Sequence, residues 1–137
     1  MVLGLALLCL LSVVDCAKAA QGGSIKAFYV PFGAETFMPI TRENIERKAL
    51  CVVEIDVSST AADRVRSLIK RDKTGTFNDN RVRLKLSGAL DEDLFIDSAG
   101  NAFLGRSQTE YGLSEGNFKK LGVLLEQLVK SLGCHAY

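Results

Sequence analysis

Few side chains in this 137-residue chain are equipped for catalysis. The single histidine, His135, is third from the last residue. Nucleophilic hydrolysis of the Ser-His-Asp or Cys-His kind needs an imidazole held by a third group. An imidazole at a chain end reads instead as a solvent-exposed tail residue. No G-x-S-x-G, Walker loop or G-x-G-x-x-G is present, so the common nucleophile, phosphate and dinucleotide devices are missing. Carboxylates cluster at Asp91, Glu92 and Asp93, with Asp97 just beyond. A glycosidase-like pair needs one acid with a raised pKa in a walled site. A turn between hairpin strands is wet, so these acids read as solvated turn residues. They also lack EF-hand ligand spacing. A small hydrolase working through Asp93 or Asp97 is the lowest-ranked reading.

Cysteine chemistry points to a staple rather than a metal. Cys9 and Cys16 lie in an apolar leader, which leaves Cys51 and Cys134 in the rest of the chain. An even count in an exported chain predicts a disulfide between them. The alternative is two unpaired thiols. No C-x-x-C exists, and Cys134 and His135 are adjacent, so no metal site and no cofactor are expected.

Charge is near balance, at +1, which argues against a dedicated nucleic-acid binder. It is unevenly spread, with Lys and Arg concentrated over residues 64–85 and acids over residues 87–118. The strand arginines can be answered by internal pairing, with Arg83 opposite Asp97. The helix cations Arg64, Arg66, Lys70 and Arg71 are freer to meet an anionic partner. Residues 28–39 hold Phe28, Tyr29, Phe32, Phe37 and both prolines. Such a stretch can be a partner-binding surface or an N-terminal strand over the core with its loop folded across.

The elements that must position these groups follow a leader. Residues 2–14 are almost continuously apolar, shorter than the ~20 residues a membrane-spanning helix needs. Ala17-Lys18-Ala19 follows, so residues 1–19 read as an export signal cleaved after Ala19 or Ala20. No basic residue follows Met1, so the usual basic start is missing. A buried N-terminal helix and a lipid-modified Cys16 are the alternatives; Asp15 before that cysteine speaks against the second. Residues 20–137 then form one small domain, exported to a periplasmic or extracellular location with no membrane span.

Within it, residues 25–32 are β-prone, with Pro31 marking an edge or a strand end. Thr41 caps a short helix, with Asn44 imitating a capping box. Residues 51–57 alternate, Cys51, Val53, Ile55 and Val57 on one face. Ser58-Ser59-Thr60 caps a helix whose buried face is Ala61, Val65, Leu68 and Ile69. Residues 81–86 alternate basic and apolar, with Val82, Leu84 and Leu86 inward. Residues 93–97 and 102–104 complete a meander around the turn at 98–101. Pairing Leu84 with Ile96 and Leu86 with Leu94 sets its register, and puts Phe95 and Leu104 side by side on the outward face, open to a partner. Ser114 caps a final amphipathic helix with Phe118, Leu121, Leu124, Leu125, Leu128 and Leu132 as its stripe; Gly133 ends it.

The order β-α-β-α-β-β-β-α predicts an α+β fold. Four to five mostly antiparallel strands carry two or three helices on one face. The functional expectation is an exported, non-enzymatic module that binds another protein, as inhibitors and toxin-immunity proteins do. Its candidate surface comprises Tyr29, Phe32, Phe37, Arg64, Arg66, Lys70, Phe95 and Leu104. A carrier of a small apolar ligand between sheet and helices is the alternative.

Overall fold

The computed structural model describes residues 23–134; the leader reading and His135 lie outside the described residues. The chain forms β1 (Ser24–Tyr29), α1 (Ile45–Lys48), β2 (Cys51–Asp56), α2 (Thr60–Leu68), β3 (Val82–Ser87), β4 (Leu94–Asp97), β5 (Asn101–Leu104), β6 (Glu110–Gly112) and α3 (Glu115–Leu132). The six strands make one antiparallel sheet in the order β2-β1-β3-β4-β5-β6. The class is α+β, as the element order predicts.

Alternation decides which side chains meet. Ile25, Ala27 and Tyr29 of β1, Cys51, Val53 and Ile55 of β2, and Leu84 and Leu86 of β3 share one face. That face is covered by α2, through Ala62, Val65 and Leu68, and by α3, through Leu121, Leu124, Leu125 and Leu128. The buried side of α2 begins at Ala62, not at the expected Ala61, which is only half-buried. Leu132, expected in the buried stripe of α3, is instead 53% exposed at the last turn of the helix. Both long helices start on a serine. Ser59 accepts a hydrogen bond from the Ala62 amide and Ser114 from the Asn117 amide, each satisfying one otherwise orphaned donor.

A smaller cluster sits on the opposite face. Phe28, Val30, Ile40, Ile45, Val52, Phe77, Val82 and Phe95 are buried there. The single turn α1 lies over it by way of Ile45. Asn44, rather than Thr41, takes the cap position of α1, and its side chain accepts from the Thr41 amide. Both faces of the sheet centre are therefore dry, and β1, flanked by β2 and β3, is a central strand. Pro31 marks its end: β1 stops at Tyr29, the Val30 amide still donates to the Arg83 carbonyl at 2.8 Å, and Pro31 then has no amide proton to give.

The meander departs from the expected register at one place. Leu84 pairs with Ile96 and Leu86 with Leu94, as the apolar pattern requires, but Val82 pairs with Asp97. The register slips between Val82 and Leu84, so Arg83 is the extra residue of a β-bulge. The bulge puts Val82 on the second face, not among the inward residues of β3. It also cancels the expected Arg83–Asp97 pairing. Further on, β5 pairs Leu94 with Leu104 and Phe95 with Phe103. Leu104 therefore packs toward the main core and does not flank Phe95, which is buried in the smaller cluster. An open apolar pair at Phe95 and Leu104 does not exist.

Two tethers close the molecule. Cys51 and Cys134 form a disulfide, with Cα atoms 4.9 Å apart, tying the start of β2 to the end of α3. The far edge strand β6 is covered by residues 72–74, where the Gly112 amide donates to the Lys73 carbonyl at 2.8 Å. No helix among the described residues is long and apolar enough to cross a membrane.

Candidate functional site

The aromatic segment 28–39 splits into members with different fates. Phe28 and Tyr29 are core residues on opposite sheet faces. The Tyr29 hydroxyl donates to Glu126 of α3 at 2.9 Å, and burial first, then that carboxylate, push its pKa well above the usual phenol value. Phe32 is half-buried, 4.5 Å from the Phe118 ring and 5.7 Å from Tyr29 between centroids. Phe37 is fully exposed, and Met38 beside it is 68% exposed. These two apolar side chains form the tip of a loop between β1 and Ile40.

The loop is exposed but held. The Ala34 amide donates to the Pro31 carbonyl at 2.9 Å, closing the first turn. The Thr36 hydroxyl donates to the Met38 carbonyl at 2.9 Å. At the far end, the Val82 amide donates to the Ile40 carbonyl at 2.9 Å, bridging the loop onto the start of β3. The Asn44 side-chain amide reaches the Pro39 carbonyl at 3.2 Å. An Arg83 Nη donates to the Ala34 carbonyl at 3.1 Å from beneath.

Beneath the loop lies a cleft of about 480 Å³, within the ~300–1,000 Å³ range of ligand pockets. Loop residues 32–37 and Pro39 form one wall; Asn80, Arg81, Arg83 and Ser98 form the other. The last residue of β4, Asp97, organises that second wall. Its carboxylate is 1% exposed and accepts three backbone amides, Asn78 on one oxygen and Ala99 and Asn101 on the other, each at 2.9 Å. This is an Asx-type cap that fixes the β4–β5 turn, in which Gly100 takes φ +86. Three amide donors account for a buried carboxylate without Arg83. Asp97 is thus a buried structural group, not the solvated turn acid expected from the sequence.

The other candidate residues are dispersed. Arg64 and Lys70 are exposed on α2. Arg66 is not free, as its guanidinium donates to the Val57 carbonyl at 3.2 and 3.3 Å and to the Ala89 carbonyl at 3.2 Å. It staples α2 to the end of β2 and to the turn after β3. On the sheet's second face, Lys85 lies between Glu46 and Asp93 and within 5.7 Å of the Phe28 and Phe95 ring centroids. Glu92 accepts from the Arg106 and Ser107 amides and holds the β5–β6 turn, a role its place in an acidic cluster did not announce. Those contacts, the Ser107 amide first, hold its pKa below the usual carboxylate range. Among the described residues, no group of three or more His, Cys, Asp or Glu side chains could hold a metal ion.

Sequence reasoning missed Asn80, Arg81, Arg83 and Ser98 as a common wall. The signal was present as alternating basic residues at 81, 83 and 85, but the bulge that separates their surroundings is not written in that pattern. Comparison with known protein families, curated proteins and solved structures finds no match.

Proposed function

We propose that this protein is an exported, non-enzymatic binding module that engages another protein through the loop over residues 31–40. The observation that carries the reading is Phe37, fully exposed beside Met38 at the tip of a loop clamped at both ends. A large apolar side chain in water gives up about 25 cal/mol per Å² of contact it could make. A loop already held in shape loses little entropy when it docks. Aromatic and Met side chains are enriched at interface centres and at hot spots. The Cys51–Cys134 disulfide supports an oxidising location, periplasmic or extracellular.

The space a carried apolar ligand would need, between sheet and helices, is filled by fully buried side chains such as Leu84, Leu94, Leu121 and Leu125. A loop that meets another protein is therefore the better supported of the two readings.

The test is capture of a partner from envelope or culture-medium extract of the native cells, with wild-type protein and a Phe37→Ala/Met38→Ala variant as baits. One stoichiometric protein retained by the wild type and lost by the variant is the expected outcome. Equal retention by both would remove the loop from consideration. Parallel baits carrying Arg64→Glu or Lys70→Glu test the exposed face of α2, and loss of the partner there would move the interface to that helix.

A further inference from the structure

Strand β3 carries two cations, two residues apart, in opposite situations. Lys85 is answered by the carboxylates of Glu46 and Asp93. Arg83 is 4% exposed and, among the described residues, forms no ion pair. Its Nη atoms donate to the carbonyls of Val82 and Ala34, and among the described residues its buried Nε meets no acceptor. A permanently charged guanidinium is costly to bury without a counter-charge, and a single unsatisfied buried donor calls for a cause. Asp97 forms no hydrogen bond with it, its two oxygens holding three backbone amides, and acts on it only through space. After burial, the like charge of Arg81 does most to lower the Arg83 pKa, opposed by Asp97.

Arg83 is also the extra residue of the β3 bulge, a device that re-aims a side chain out of the sheet's alternation. Here it contributes to the wall of the cleft beneath the loop, beside Arg81, Asn80 and Ser98. Two guanidiniums, a carboxamide and a hydroxyl thus line one polar concavity. We propose that this cleft binds a small oxyanion, a carboxylate- or phosphate-bearing ligand that bonds to the exposed Arg81 and adds a counter-charge beside the buried Arg83. The exposed planar fork of Arg81 matches either anion in bidentate geometry. Glu35, exposed on the loop wall, pairs with neither arginine and opposes an incoming anion. The site is independent of the protein-binding reading, since a free oxyanion fills it with no partner protein present.

The test is calorimetric titration of the purified protein with inorganic phosphate and, separately, with malonate, at constant ionic strength set by chloride. Saturable binding of one or both at millimolar concentration or tighter is expected, and which anion binds assigns the class. Arg81→Gln should weaken it by about tenfold or more, the cost of one charged hydrogen bond. Glu35→Gln should strengthen it by removing a like charge. Arg83→Met should abolish it; because that variant alters a buried position, the exposed Arg81 and Glu35 variants keep the test decisive if it fails to fold. Absence of binding by both anions, or binding unchanged by Arg81→Gln, would overturn the proposal.

Discussion

Asp97 and Arg83 lie close together, both buried and oppositely charged, yet each is served by backbone rather than by the other. The reason for Asp97 is geometric: at the end of β4 its carboxylate meets the amides of a turn that would otherwise leave donors unpaired. Asp97→Asn keeps one oxygen for Ala99 and Asn101 and turns the other into a donor facing the Asn78 amide. A loss of about 1–3 kcal/mol in urea unfolding is expected; an unchanged midpoint would mean the turn finds its partners elsewhere. Tyr111 carries a second residue-scale consequence. Its hydroxyl donates to the Ile69 carbonyl, and burial raises its pKa from 10.0 to about 12. A raised folded-state pKa means the group's stabilisation is complete below the unfolded value and is lost as pH rises toward 12. Alkaline titration followed by tyrosinate absorbance should show Tyr29 and Tyr111 ionising late, together with unfolding. Ionisation of both near 10, with the fold intact, would contradict the burial described.

At the scale of elements, caps and strand ends obey local chemistry. Ser59 and Ser114 each close a helix start, and Ser114→Ala should cost about 1 kcal/mol by chemical denaturation. Arg66→Glu should be destabilising, since it breaks the bonds joining α2 to Val57 and Ala89, whereas Arg64→Glu should stay within about 0.5 kcal/mol of wild type. Equal melting temperatures for the two variants would show that the staple has no weight. The alternation of β2 and the stripe of α3 were legible because water on one side and core on the other impose a period. The three-residue β6 was not legible. Its position depends on the Lys73–Gly112 bridge and on a turn held by Glu92, partners distant in sequence.

At the scale of the whole molecule, one covalent link joins the first-crossing edge of the sheet to the last helix. The Cys51–Cys134 loop spans 83 residues, and in the chain-entropy model its closure contributes about 4–5 kcal/mol. Reduction should therefore lower the melting temperature sharply, with Cys51→Ala/Cys134→Ala matching the reduced wild type. Equal melting with and without reductant would place the bond outside the stability of the fold. The amino-acid sequence by itself determined the class, the cysteine pair, the caps of the two long helices and most of the strand alternation, because burial against water writes a period of two or 3.6 into the chain. Tertiary structure alone decided what Arg83 does. A single extra residue in β3 takes it out of register with Asp97, buries it under the loop that follows the neighbouring strand β1, and places it in the wall of a cleft. Tertiary structure likewise sorted the aromatic stretch, placing Phe28, Tyr29 and Phe32 inside or at the rim and Phe37 in water. Hydrophobicity is a property of the residue, but exposure depends on which neighbours arrive from far along the chain.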